Sequence, residues 1–172
     1  MVEQQLKHIL ASVTSDTLER LAFLFAFPDH ERINDGPDPV VVGRVEFNGY
    51  FDGSLLMRIS ASAIPELANN MLGLDDDAEI SQAEQQDALK EILNVICGNA
   101  LPAMAGNTVE FNIGAPEILS PEDAANLNQK SKPVCVVRLM LEDAYCDVYF
   151  FIQGELPELT FAKDSEQDQQ RQ

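Results

Sequence analysis

Glu91 and Asn94 stand three residues apart in the stretch Glu91-Ile92-Leu93-Asn94-Val95-Ile96-Cys97-Gly98. On a helix, that spacing makes their side chains neighbours. No activated hydroxyl or thiol accompanies them in a recognisable arrangement, so nucleophilic catalysis does not suit the pair. A carboxamide both donates and accepts hydrogen bonds, and can therefore hold a water molecule in a chosen orientation. A glutamine side chain does this in GTP hydrolysis. A carboxylate can pair with a lysine or arginine brought by another molecule. Together the two groups suit attack by water on a reactive centre, provided a partner supplies the metal and the activated phosphoryl group. Asp87 and Gly98 extend the pair into one polar stripe at i, i+4, i+7 and i+11. The stripe closes on a residue with no side chain, where a partner's backbone can approach. Spacing alone leaves two readings open: a docking surface with a chemically capable pair, or a solvated helix face.

The elements around the stripe follow from periodicity. Ser81-Gln82-Ala83-Glu84 has the form of a capping box, and Leu89, Ile92, Leu93, Ile96, Ala100 and Met104 make a buried stripe on a helix ending near Gly106. Glu91 and Asn94 then point away from the core. Residues 3–27 read as helix, with a break near Val13–Ser15 and a stop at Pro28, and residues 28–39 as a loop. Residues 40–47 and 54–60 read as strands joined in a hairpin, with Leu55, Met57 and Ile59 on one face and Arg58 on the other. Residues 63–72 form an amphipathic helix carrying Ile64, Leu67, Ala68, Met71 and Leu72 on its apolar face. Ser62 is a candidate cap, and Gly73 suits the left-handed C-terminal position. Val109, Phe111 and Ile113 alternate with Glu110 and Asn112 in a further strand, residues 116–132 read as a polar loop, and residues 133–141 and 144–153 as a second hairpin turning at Glu142-Asp143. The order predicts one α+β domain, residues 1–162, with helices covering one face of a largely antiparallel sheet. Residues 163–172 are expected to be a disordered polar tail.

Composition narrows the function classes. The chain has 172 residues, the size of one domain, and a net charge of −18. With only 11 Lys and Arg there is no basic patch for phosphate contacts, which argues against nucleic-acid binding. Three cysteines, Cys97, Cys135 and Cys146, show no CxxC pairing, and two histidines, His8 and His30, lie far apart. Neither a disulfide framework nor a metal centre is expected. The acidic run Asp75-Asp76-Asp77 lacks the alternating ligands of a calcium loop. No apolar run reaches membrane-spanning length and no signal peptide is legible, so the cytoplasm is the expected location.

Several stretches resemble the CheC/CheX/FliY family of response-regulator phosphatases, most closely its CheX-like branch. They are the hairpin Val41–Ser60 with Phe47-Asn48-Gly49 and Gly53-Ser54-Leu55, the helix end Ala68-Asn69-Asn70-Met71-Leu72-Gly73, the segment Asp87–Ala100 containing Glu-x-x-Asn and then glycine, and Phe111-Asn112-Ile113-Gly114-Ala115-Pro116. The resemblance covers about residues 5–153. A bare Glu-x-x-Asn is a weak signal; its embedding among these segments makes it specific. The resemblance implies a CheX-like fold and hydrolysis of the aspartyl phosphate on a phosphorylated CheY-like receiver. It assigns Asn94 to orient the attacking water and Glu91 to contact the receiver's active-site lysine; Asp87 and Gly98 are expected from the stripe itself to serve docking. It places Mg²⁺ on the receiver, with no cofactor bound by this chain, and implies a homodimer through a sheet edge. A non-catalytic receiver-binding module is the alternative. CheC-like members carry a second Glu-x-x-Asn on the N-terminal helix. Here Thr17-Leu18-Glu19-Arg20-Leu21-Ala22 has no asparagine three residues after Glu19, so one site per chain is expected.

Overall fold

The computed structural model describes residues 1–32, 38–75, 77 and 79–161. The expected tail, residues 163–172, and Asp76 of the acidic run lie outside these. The first helix, α1, spans Val2–Ala22 without the expected break. Thr14 and Thr17 carry its apolar stripe through that point, being 0% and 4% exposed. The Thr17 hydroxyl donates to the carbonyl of Val13 at 2.7 Å, so a polar letter is buried without leaving the helix. The helix also stops earlier than Pro28. Phe23 adopts φ 51, ψ 31, and its N–H and that of Leu24 bond back to Glu19 and Leu18 at 3.1 Å each, a helix-closing pattern. The chain then runs extended into β1, Phe27–Pro28.

Strands β2 (Val40–Gly49) and β3 (Asp52–Ser60) form the expected hairpin, with Val45 opposite Leu55 and Gly43 opposite Met57. Leu55, Met57 and Ile59 face the core, as the alternation required. A single 3₁₀ turn, Ala61–Ala63, leads into α2, Ile64–Leu72. Ser62 falls inside that turn and does not cap the helix; the N-cap position is Ala63. Gly73 does close it, at φ 67. Leu72 is 51% exposed, so the apolar face ends one residue early.

The long helix α3 spans Gln82–Ala105 and opens with the expected capping box, in which the Glu84 N–H donates to Ser81 Oγ at 3.1 Å and the Ser81 N–H to the Glu84 carboxylate at 3.3 Å. Strands β4 (Phe111–Ile113) and β5 (Glu117–Leu119) both pair with β2. The segment expected as a polar loop thus holds β5 and a further helix, α4, Pro121–Lys130. Its start is marked by Ser120, whose Oγ accepts from the Asp123 N–H at 3.2 Å, with Pro121 in the first turn. Its polar composition disguised it because it buries little: Ala124 and Leu127 are only half-buried. Strands β6 (Cys135–Met140) and β7 (Tyr145–Gln153) complete the second hairpin.

The seven strands form one antiparallel sheet in the order β1-β6-β7-β3-β2-β4, with β5 also on β2. Helices α1, α2 and α3 pack together over one face, while α4 lies beside β5 and borders the other. Phe47 stacks on Phe150, centroids 5.8 Å apart, and Phe51 and Phe111 meet edge-on. On the opposite face Asp147 is fully buried between Arg138 and Arg32, whose guanidinium also sits 4.2 Å over the Tyr145 ring. Arg32 thereby pins the segment after β1 to the sheet. Its hydrogen bond holds the Asp29 carboxyl below the usual carboxylate range.

Candidate functional site

Helix α3 is held in one rotation by its inner face. Leu89, Ile92, Leu93 and Ile96 are all 0% exposed, and burying each such side chain is worth about 1.5–3 kcal/mol. The approach to the sheet is close at Gly43 in β2, where an added Cβ would collide with Leu93 Cδ1. Glycine there lets the helix sit directly on the strand.

With that face locked, Asp87, Glu91, Asn94 and Gly98 are all exposed. The structure therefore brings together the four residues expected from the sequence. Among the described residues no hydrogen bond or ion pair engages Glu91 or Asn94. An added Cβ on Gly98 would meet only Ile113 Cδ1 of β4, at an ordinary 3.9 Å. The fold does not require glycine at this position. The stripe is closed off toward the end of the helix: Leu101 and Ala105 continue the same line but are 1% and 4% exposed. There the C-terminal segment passes Gly106, and Tyr50 donates to the Glu158 carbonyl at 2.9 Å.

The same Glu-x-x-Asn spacing recurs on α2 at Glu66 and Asn69, outside the sequence expectation. Glu66 is exposed, but Asn69 is turned inward and 7% exposed. It cannot present its amide to a partner. Burial, which the four-letter pattern does not contain, separates the two pairs.

Thiol chemistry is absent from the stripe. Cys97 adjoins Gly98 but is 1% exposed, and burial pushes its thiol up to about 12. Burial likewise pushes Cys135 to about 12 and raises Cys146. None is a thiolate near neutral pH. Among the described residues no group of three or more His, Cys, Asp or Glu could hold a metal ion, and no helix is long and apolar enough to cross a membrane. What the stripe offers is an exposed carboxylate, a carboxamide that can donate and accept, and a smooth patch at Gly98.

The chain is similar in structure to two CheX proteins and a CheC-like protein. A chemotaxis protein CheX from Desulfovibrio desulfuricans aligns over 86% of this chain and 99% of its own, at TM-score 0.64 and 18% identity. CheX of a CheX–CheY–BeF3–Mg²⁺ complex from Borrelia burgdorferi aligns over 86% of this chain and 97% of its own, at TM-score 0.63 and 19% identity. A CheC-like protein from Shewanella aligns over 87% and 98%, at TM-score 0.58 and 20% identity. At these identities the likeness establishes the fold. No curated protein matches the sequence. The family described as chemotaxis phosphatase CheX matches residues 41–139, a span that carries the central hairpin, all of α3 and its Glu91/Asn94 pair. By that match the chain belongs to the CheX family of chemotaxis phosphatases, within the wider CheC/CheX/FliY group.

Proposed function

We propose that this chain hydrolyses the aspartyl phosphate of a CheY-like receiver domain, using the exposed face of α3. The observation that carries the reading is that Glu91 and Asn94 project from a rigidly seated helix into solvent with no partner among the described residues. Groups prepared in this way can act on a molecule that docks. Asn94 holds a water by accepting one of its protons and aims the oxygen lone pair at phosphorus. Glu91 pairs with the lysine of the receiver's active site and so fixes the register of docking. Charge on the phosphoryl group is neutralised within the receiver, by the Mg²⁺ that the family resemblance places there. An acyl phosphate is already labile, so placing the water can supply much of the acceleration. The Borrelia CheX solved together with CheY supports the class of partner. With a net charge of −18, docking relies on the receiver's lysine and metal to set the local field.

The test is the decay of a phosphorylated cognate receiver with and without this protein. Asn94→Ala is expected to lose about 100-fold of the acceleration, the scale of a mispositioned reactant, while still binding the receiver. Equal decay with wild type and Asn94→Ala rejects catalysis. Tight binding by the wild type with no change in phosphate lifetime assigns the stripe to a non-catalytic receiver-binding module.

A further inference from the structure

Along residues 23–27 every second side chain is a phenyl ring turned to solvent. Phe23, Phe25 and Phe27 are 67%, 60% and 60% exposed, while Leu24 and Ala26 between them are 8% exposed each. Met140, opposite Phe27 in the register of β1 and β6, is 44% exposed. Isolated exposed apolar side chains are ordinary, but a contiguous group marks an interaction surface. The backbone is strained to create it: Phe23 has φ 51, the only positive value at a non-glycine residue among those described, in a position that favours glycine. These rings border a cavity of about 680 Å³. Among the described residues its remaining rim carries Glu66, Glu142 and Asp143, and no lysine, arginine or histidine lines it.

The rim and the edge together select the occupant. A second copy of this chain would bring the same three carboxylates face to face with their equivalents. It would also find few backbone donors. The Asp29 N–H bonds to the Arg138 carbonyl at 2.9 Å, so by strand alternation Phe27 and Asp29 face β6 while Ala26 and Pro28 face outward. Pro28 has no N–H to offer. The sheet-edge homodimer implied by the family resemblance is thus poorly served at this edge. The chain's own residues 162–172 contain no large apolar side chain. We propose that the groove docks an amphipathic helix of a partner protein, with apolar residues along one face and lysine or arginine flanking them. The groove lies at the β1 edge, whereas α3 packs over β3, β2, β4 and β5, toward the other. Five strand spacings, about 24 Å, separate the two edges. A helix bound here therefore tethers the protein to a partner while leaving Glu91 and Asn94 free.

The probe is a fluorescein-labelled synthetic peptide with leucine at i, i+3, i+4 and i+7 and lysine on its other face, titrated into the full chain at physiological salt. Controls are a scrambled peptide of equal composition and an Asn94→Ala variant of the protein. The peptide is expected to bind wild type and Asn94→Ala alike, and at least about tenfold more tightly than the scrambled peptide. A Phe25→Ser/Phe27→Ser variant should lose that preference, and Glu142→Lys/Asp143→Lys should weaken binding without touching the rings. Both alter exposed side chains; circular dichroism confirms their fold. Equal affinity for the two peptides, or binding unchanged in the phenylalanine variant, overturns the proposal. So does sedimentation showing a wild-type dimer that Phe25→Ser/Phe27→Ser converts to monomer, since a second copy would then own the groove.

Discussion

Gly98 is a helix residue whose identity the fold does not explain, and the proposed docking accounts for it. It lies inside a helix, where glycine is less favourable than alanine by about 0.5–1 kcal/mol, yet a Cβ there would meet only Ile113 at 3.9 Å. Gly98→Ala is therefore expected to stabilise the protein by about 0.5–1 kcal/mol, read as a raised urea midpoint, and at the same time to weaken receiver binding. If the variant is more stable and binds as before, Gly98 has no part in docking. Asn94 and Asn69 make the complementary point. Each follows a glutamate by three residues, but Asn94 is exposed and Asn69 is 7% exposed. The difference comes from which face of its helix each occupies.

At the scale of the element, α3 presents its stripe in one direction because both its start and its rotation are fixed. Its start is local: the Ser81–Glu84 capping box needs only four residues and was legible in the sequence. Its rotation depends on contact with β2, where Gly43 admits Leu93. Gly43→Ala is expected to cost about 1–3 kcal/mol by overpacking, measured in urea. It should also reduce receiver dephosphorylation without altering a residue of the stripe, if buried Leu93 passes the displacement to its helix. Unchanged stability would mean that Leu93 yields freely and the seat is not tight. Other elements were hidden for identifiable reasons. α4 carries a readable start at Ser120-Pro121, but its polar face resembled a loop. α1 was expected to break near Val13–Ser15, yet Thr14 and Thr17 proved to be buried and the helix runs on. Leu21, Leu24 and Phe25 fit a helical period, yet beyond Phe23 burial alternates with period two, and Phe27 and Pro28 pair with β6.

Across the whole molecule, the three thiols report the integrity of the core. Cys97, Cys135 and Cys146 are all buried, and burial raises each above the ordinary thiol value of 9.0. An unfolded chain therefore ionises its thiols at lower pH than the native one. The stability linked to these groups is intact below about pH 9 and falls as pH rises from there toward 12. At pH 8 the native protein is expected to resist iodoacetamide at all three cysteines, while the urea-unfolded chain is alkylated at each, as counted by mass spectrometry. Rapid labelling of the native protein would show a core more open than the one described.

The sequence by itself determined what depends on neighbours within a few residues: the capping box, the inner stripe of α3, the alternation of both hairpins, and hence that Glu91 and Asn94 face outward. The family resemblance was also legible there, since it rests on contiguous segments. Tertiary structure alone decided what depends on distant groups meeting. Arg32 finds Asp147 across 115 residues of chain, Asn69 is buried while Asn94 is left open, and Phe23, Phe25 and Phe27 are turned outward. The physical reason is that hydrogen-bond periodicity is a property of the local chain. Burial is a property of whatever the rest of the chain brings against it.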